Sequence, residues 1–201
     1  MSIRFTAKVR QIINHIGEYG FITNKQCAMI YYKDSKQSYL QAQTKMKLLY
    51  DNDVVKRYEY KLNKEYIYTV DDKQISDHKM YVMNLYAYLY KNFDVIYFKP
   101  EASWSCKKRS DAHFIIRKEN GDTAGILCEV DLYHKTGKEK LDILYKSGEL
   151  QTWYKANYGA EGYYPTILIV NNNGRSNISS QEYEVICTDF DFEGLDSILG
   201  C

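Results

Sequence analysis

Three acidic residues, Asp111, Glu129 and Asp131, flank two short apolar runs of strand-forming residues. Between the runs lies Asn120-Gly121, and such a pair predicts the turn of a β-hairpin because both residues tolerate the positive φ that the turn needs. The open end of this hairpin would carry the three carboxylates, whose hard oxygen atoms suit Mg²⁺ or Mn²⁺. The same spacing is compatible with a solvated acidic hairpin end that binds nothing.

Whether the acids share one face depends on the register of the hairpin. A strict two-residue turn pairs Glu119 with Asp122 and turns Asp111 away from Glu129. One extra loop residue, Asp122, instead places Asp111 opposite Asp131. A one-residue slip moves every side chain to the other face, so the apolar pattern discriminates between the registers. It favours the longer loop, with the acids on one face and an apolar core stripe on the other. That stripe consists of Ala112, Phe114, Ile116, Ile126, Cys128 and Val130.

The elements before this hairpin indicate a separate domain over residues 1–72. Helical spacing predicts a first helix capped by Thr6, a second over 25–32 and a third over 36–50 with Leu40 facing inward. Two strands, 54–60 and 66–70, follow around the turn Leu62-Asn63-Lys64. Three helices and a two-stranded wing in this order are the plan of a winged helix-turn-helix domain.

The exposed positions of this predicted domain suit contact with double-stranded DNA. The third helix would present short polar and cationic side chains to base edges and phosphates, and the wing would add charge. The predicted DNA-binding residues are Ser38, Gln41, Thr44 and Lys45 on the helix and Lys56, Arg57, Lys61 and Lys64 on the wing. The alternative is a winged helix that contacts protein.

The distribution of charge agrees with this division. The 201-residue chain has a formal net charge of +1. Residues 1–72 contain 12 Lys and Arg against 8 Asp and Glu, a balance of +4, and the remainder contains 15 against 18, a balance of −3. A basic front half and an acidic back half fit DNA contact followed by a metal site.

The number and spacing of the cysteines indicate the cellular compartment in which the protein works. The 5 cysteines are scattered and form no Cys-x-x-Cys pair, which argues against structural zinc. The sequence shows no signal peptide and no apolar run long enough to cross a bilayer. We therefore expect reduced thiols, a cytoplasmic location and no membrane contact.

Residues 73–201 predict a second domain of mixed helices and strands. A helix within 73–90 is either a connector or the first helix of this domain, and a strand over 94–98 stops at Pro100. Lys107, Lys108 and Arg109 form a basic loop before Asp111, where they would hold a phosphate or balance the acids. After the hairpin come one long helix over 138–155, a buried strand over 166–170, a strand over 183–187 and a short terminal helix.

Two short motifs around the three acids resemble those of a known enzyme family. Ser110-Asp111 followed by Glu129-Val130-Asp131 resembles the Pro-Asp and Glu-x-Lys motifs of the PD-(D/E)xK nucleases. The Glu129-Val130-Asp131 triplet, with a preceding winged helix, looks more like the replication-relaxation family of plasmids and integrative elements. The resemblance implies a chain of the α/β class, which is α+β when the whole chain is considered. In it, a restriction-endonuclease-like αβββαβ domain follows the N-terminal winged helix-turn-helix domain. It also implies Mg²⁺ or Mn²⁺ on Asp111 and Glu129, with Asp131 on a second metal or orienting water.

The chain departs from the motif at position 131, where Asp replaces the lysine that assists the attacking water. The crossover helix offers Lys146, Gln151 and Tyr154 as replacements, and Gln151-Thr152-Trp153-Tyr154 resembles the Gln-Tyr element of RecB-like nucleases. At 100° per residue, Gln151 and Tyr154 share a face, so we expect both in the catalytic cleft and Lys146 outside it. His134 and Lys135 are alternatives from the preceding loop.

Three interpretations of function follow. The first is a DNA-processing protein of a mobile element that nicks or clamps DNA in plasmid or transposon replication or conjugative transfer. Its partners would be double-stranded DNA and relaxase or replication proteins, with a homodimer left open. The second is a winged-helix transcriptional regulator in which the nuclease fold survives as a scaffold. The third is a restriction-like endonuclease.

Overall fold

The chain folds into two compact units, residues 1–77 and 78–201. The computed structural model describes residues 4–61, 64–72 and 74–200. Both units combine helices with a sheet, so the chain is of mixed α/β class. The turn predicted at Leu62 and Asn63 lies outside the described residues. No helix within the described ranges has the length and apolar character needed to cross a membrane.

The first unit contains three helices and three short strands. The helices are α1 (Ala7–Tyr19), α2 (Asn24–Tyr31) and α3 (Ser38–Asp51), and the strands are β1 (Ile22–Thr23), β2 (Lys56–Glu59) and β3 (Tyr66–Thr69). The strands pair antiparallel in the order β1-β3-β2. The apolar faces of the helices meet in one core with Tyr68 of β3.

Capping residues set the beginnings of the first two helices, and the first of them, Thr6, is the predicted one. The Thr6 hydroxyl accepts a hydrogen bond from the Val9 amide at the start of α1. At the start of α2, Thr23 and Gln26 form a reciprocal capping box. These side chains satisfy amide groups that have no partner within the helix. The predicted inward position of Leu40 is wrong, because this side chain of α3 is 55% exposed.

The second unit is built on a five-stranded mixed sheet. Its elements are α4 (Asp77–Asn92), β4 (Asp94–Ser103), β5 (Arg109–Arg117), β6 (Thr123–Asp131), α5 (Lys138–Lys146), α6 (Glu149–Tyr158), β7 (Thr166–Asn171), β8 (Val185–Thr188) and α7 (Leu195–Ile198). The strand order is β4-β5-β6-β7-β8. The pairs from β4 to β6 are antiparallel, and the pairs from β6 to β8 are parallel.

Helices cover both faces of this sheet. On one face, Tyr86 of α4 stacks on Phe98, which stacks on Phe114 of the neighbouring strand. On the other face, leucines of α5 and α6 pack on Ile115 and Leu127. The prediction of a single apolar face on the hairpin is therefore incomplete, because the face that carries the acids is also buried.

The register of the hairpin differs from the prediction. Lys118 and Asp122 close a three-residue loop in which Gly121 has a φ of 89°. Ala112 pairs with Cys128 and His113 with Leu127, so Asp111 stands opposite Glu129 and not opposite Asp131 as predicted. The shift equals two residues, and a two-residue shift preserves the faces. The predicted common face of the three acids is thus correct, while the predicted partner is wrong.

Two further boundaries differ from the prediction. β4 continues through Pro100, which pairs with Ala112, because an edge strand has a free side on which the missing amide of proline costs no ladder hydrogen bond. The single predicted crossover helix is divided into α5 and α6 at Ser147-Gly148. Gly148 adopts a φ of 70° there, which ends the regular helix.

Candidate active site at one edge of the central sheet

The three predicted acids lie at one edge of the five-stranded sheet. β5 begins at this edge and β6 ends there, because the two strands are antiparallel. β7 runs parallel to β6 and ends at the same edge, with Asn171 beside Asp131. Asp111 near the start of β5 and Glu129 near the end of β6 are therefore neighbours across the hairpin.

Glu129 is the buried member of the group. The residue is 2% exposed, and its Oε1 atom is buried with no hydrogen-bond donor among the described residues. Burial raises the pKa of Glu129 to about 7, the ammonium of Lys140 opposes this rise, and the charges of Asp111 and Asp131 add to it. Repulsion among the acids contributes to the raised pKa, but loss of solvation is the larger cause.

Lys140 provides the cation nearest to this carboxylate. Its Nζ lies 2.6 Å from Oε2 of Glu129, and its side chain is 29% exposed. Lys140 is not among the replacements predicted on the crossover helix, which were Lys146, Gln151 and Tyr154. The available signal was position, since a helix that follows β6 begins at the edge where β6 ends. A lysine in the first turn of α5 is therefore closer to Glu129 than Lys146, which was expected outside the cleft and is exposed at the other end of α5.

The other two acids have oxygen atoms engaged by the protein. Oδ2 of Asp111 accepts a hydrogen bond of 2.7 Å from the Val130 amide and lies 3.6 Å from Nδ1 of His78. Oδ1 of Asp131 accepts hydrogen bonds from the amide and hydroxyl of Thr136, at 2.8 Å and 2.7 Å. Over residues 4–61, 64–72 and 74–200, no group of three or more His, Cys, Asp or Glu side chains is assembled for a metal ion.

Tyr154 lies in the core and not beside the acids. Its hydroxyl is 2.7 Å from Nε2 of His113, and burial lowers the pKa of that histidine to about 4. The Tyr154 ring also packs over Gly125, which stands about 13 Å before Glu129 along an extended strand. Gln151, also predicted in the cleft, donates from Nε2 to the carbonyl of Tyr145 at 3.1 Å.

The predicted basic loop is at the same edge as the acids. It turns between β4 and β5, with the Trp104 amide donating to the carbonyl of Lys108. Glu149 of α6 holds the loop by accepting from the amides of Ser105 and Cys106 at 2.7 Å and 2.9 Å. Lys107 and Arg109 are exposed and Lys108 is half-buried, so the loop offers cations beside Asp111.

The predicted DNA-binding residues of the first unit fall into two groups. On α3, Gln41, Thr44 and Lys45 line a groove of about 380 Å³, and Ser38 is half-buried at the start of the helix. On the strands, Lys56 is paired with Asp72 at 2.6 Å. Lys61 and Lys64 are exposed.

Arg57 is held by aromatic rings. Its guanidinium carbon lies 4.0 Å from the ring centre of Tyr50 and 4.5 Å from that of Tyr66. Stacking of this kind orients a guanidinium while leaving its edge able to donate hydrogen bonds. Arg57 is therefore positioned more firmly than a free cation on a wing would be.

Comparison with known proteins adds no family to this geometry. No protein-family model, no curated protein and no solved structure matches the chain.

Proposed function

We propose that the chain is a DNA-binding protein whose second unit is a PD-(D/E)xK nuclease-like domain that acts on DNA with Mg²⁺ or Mn²⁺. The observation that carries the proposal is the buried carboxylate of Glu129, which has one oxygen on Lys140 and the other without a donor. A buried, unpartnered carboxylate oxygen is costly unless a cation, a proton or water completes it. Asp111, directly across the hairpin, supplies a second carboxylate at the same edge.

The topology of the second unit supports the same proposal. α4 precedes an antiparallel meander of β4, β5 and β6, two helices cross over, and β7 returns parallel to β6. This order agrees with the αβββαβ core that the motif resemblance implies, with two helices in place of one crossover helix. The acids stand on the second and third strands of the meander, one hairpin apart as in the motif.

The donor set suits a hard divalent ion. Mg²⁺ is commonly held by one or two carboxylates and keeps several of its waters, so Asp111 and Glu129 would be enough protein ligands. A bound ion would lower the pKa of a coordinated water and neutralise charge on a phosphate. Asp131, whose Oδ1 is held by Thr136, would orient water from the neighbouring position.

Lys140 would take the part of the lysine that position 131 lacks. Its ammonium is fixed against Glu129 by the ion pair and reaches the acids from α5, which covers one face of the sheet. A cation there can hold the carboxylate in place and attract a phosphate. Gln151 and Tyr154 are not needed in this proposal, since both are engaged elsewhere.

The first unit would bind double-stranded DNA as a winged helix. Its element order and its β1-β3-β2 sheet agree with that plan, and α3 would be the recognition helix. A role in replication or transfer of a plasmid or other mobile element, with relaxase or replication proteins as partners, rests on the motif resemblance alone.

A plasmid-nicking assay tests the proposal. Supercoiled DNA would be incubated with the full chain in EDTA, Mg²⁺ or Mn²⁺, and nicked circles counted. We expect nicking with metal, and a loss of about 100-fold or more in Glu129→Gln and Lys140→Met. Lys138→Met is the matched control, because Lys138 is in the same helical turn but pairs with Asp142.

A second candidate function is a domain that clamps or scaffolds DNA without cutting it. The engagement of Asp111 by the Val130 amide and of Asp131 by Thr136 favours it, since both interactions reduce the oxygen atoms free for metal. Metal-dependent stabilisation without nicking would support the clamp. No nicking and no stabilisation would exclude a metal site and leave the scaffold.

A further inference from the structure

A polar pocket of about 440 Å³ opens at the edge where β6 and β7 end. One wall is the loop after Asp131, residues 131–136, and the other is the loop after Asn171, residues 171–178. The carboxyl ends of adjacent parallel strands are a common place for ligands in mixed sheets. The pocket begins two residues beyond Glu129, about 7 Å along the strand.

The lining side chains are mostly hydrogen-bond donors. They include one lysine, one arginine and one histidine, several amides and three hydroxyls: Tyr133, His134, Lys135, Thr136, Asn172, Asn173, Arg175, Ser176 and Asn177. Asp131 is the acidic residue in the lining, and its Oδ1 is already occupied by Thr136. The pocket therefore offers donors and positive charge to a ligand, which suits an oxyanion.

Hydrogen bonds of Asn171 hold the loop of residues 171–178 in place. The buried Asn171 accepts from the amides of Asn173 and Arg175 at 3.1 Å and 3.4 Å, and its amide group donates to the Arg175 carbonyl at 2.9 Å. Gly174 has a φ of 61°, and a Cβ added there would lie 3.2 Å from the amide nitrogen of Asp189. These contacts hold the backbone of Arg175 at the rim of the pocket.

The two permanent cations of the pocket lack acidic partners. Over the described part of the chain, neither Lys135 nor Arg175 lies within ion-pair distance of a carboxylate. Lys138 of α5 is different, because it is paired with Asp142 at 2.7 Å. A pair of uncompensated charges around a polar cavity attracts an anion of complementary size.

We propose that this pocket binds a phosphodiester of a nucleic-acid strand, with Arg175 and Lys135 as the phosphate ligands. The identity of the anion as nucleic acid rests on the proposed function, whereas the preference for a phosphate rests on the donors and charges of the pocket itself. A planar guanidinium can bind two phosphate oxygens at once, and the volume admits a nucleoside beside the phosphate. The site would hold the strand next to the Glu129 and Lys140 edge.

Calorimetric titration in EDTA tests the pocket without metal. The probe is thymidylyl-thymidine, whose single phosphate is a diester and which is too short to form a duplex for the first unit. We expect Arg175→Ala to weaken binding about tenfold, the value of one strong charge-assisted hydrogen bond, and Lys135→Ala to weaken it less. Arg117→Ala is the matched control, because Arg117 is an exposed arginine at the opposite end of β5, 3.2 Å from Asp94.

The outcomes separate the pocket from the proposed function. Equal affinities of Arg175→Ala and Arg117→Ala, or no binding by the wild type, would overturn the pocket even if metal-dependent nicking were found. Binding that depends on Arg175, without any nicking or metal effect, would support the pocket and count against the nuclease. Inorganic phosphate and thymidine 3′,5′-bisphosphate are the comparison probes. Tighter binding of either one than of the diester would overturn the strand assignment in favour of a free anion or nucleotide.

Discussion

The Nζ of Lys140 lies 2.6 Å from Oε2 of Glu129, although the two residues belong to a helix and a strand. Glu129 is buried and Lys140 is half-buried, so the pair is shielded from water on the carboxylate side. Removing one partner of such a pair leaves a charge with neither solvent nor counterion. The pair is therefore a structural element of the sheet edge as well as a candidate for chemistry.

We predict that Lys140→Ala destabilises the second unit by about 1.4 kcal/mol at pH 8, because protonation of Glu129 limits the cost of the uncompensated carboxylate to about that amount for each pH unit above 7. The pKa of Glu129 is already raised to about 7, and loss of Lys140 would raise it further. A raised carboxyl pKa costs stability as pH rises from the unfolded value of 4.5 to the folded value. The variant, with the higher folded pKa, therefore continues to lose stability above about pH 7, where the wild type no longer does, and it should match the wild type near pH 5. Urea unfolding at the two pH values measures this.

The control for that experiment is Lys138→Ala in the same turn. Lys138 pairs with Asp142 at 2.7 Å on the exposed side of α5, where solvent screens both charges. We expect little change in stability and no added dependence on pH near 7. Equal losses of stability in Lys140→Ala and Lys138→Ala would show that the buried ion pair of Glu129 contributes no more to stability than the exposed pair of Asp142.

Millimolar Mn²⁺ should raise the melting temperature of the wild type. A divalent ion at Asp111 and Glu129 would bind the folded state and stabilise it by about 2.7 kcal/mol at a hundredfold excess over its dissociation constant. Glu129→Ala should melt at the same temperature with and without the ion. A wild-type melting temperature unaffected by Mn²⁺ and Mg²⁺ would remove the metal from the proposal.

Gly125 and Tyr154 should be energetically coupled. A Cβ at position 125 would lie 1.9 Å from the Tyr154 hydroxyl oxygen and 2.6 Å from the ring carbon that bears it. We expect Gly125→Ala to cost about 3 kcal/mol through overpacking, and Tyr154→Phe about 1 kcal/mol through the lost hydrogen bond to His113.

The double variant tests the coupling between these two positions. Because removal of the hydroxyl relieves the closest contact, it should lose less stability than the sum of the single changes. Additive losses in denaturant unfolding would mean that the backbone shifts to separate the two groups.

Acid should destabilise the first unit through His15. Burial lowers the pKa of His15 to about 4, and the ring packs edge-on against Tyr19 and Tyr31. The unfolded chain therefore takes up this proton first, near pH 6.5, and stability falls from there to about pH 4 by up to about 1.4 kcal/mol per pH unit. His15→Phe should show a shallower decline over that window in urea titrations, and an unchanged decline would contradict a neutral, buried His15.

Two lysines of α3 provide a matched test of DNA contact. Lys45 lines the groove beside Gln41 and has no ion pair among the residues that the structure describes, whereas Lys47 pairs with Asp51 at 2.6 Å. If α3 contacts DNA, Lys45→Ala should flatten the slope of log affinity against log salt by about one, and Lys47→Ala should change it less. Identical slopes for both variants and the wild type would place α3 outside the interface.

The sequence by itself determined most of the elements and the faces of the hairpin. Capping residues such as Thr6 and Thr23 act within one turn of a helix, and alternation along a strand places Asp111, Glu129 and Asp131 on one side. These are local effects, because a cap acts within a few residues and the common face of the acids requires only the pairing of two consecutive strands. Local rules predict them for that reason.

Tertiary structure decided the contacts that give the edge its chemistry. The position of the three-residue loop, at residues 119–121 and not at the predicted 120–122, set Asp111 opposite Glu129 and depends on packing of the whole sheet. The division of the crossover helix at Gly148 is part of how α5 and α6 cover the sheet, and this cover buries Glu129 and brings Lys140 to it. Burial and long-range proximity are properties of the assembled layers, and no periodicity in the sequence encodes them.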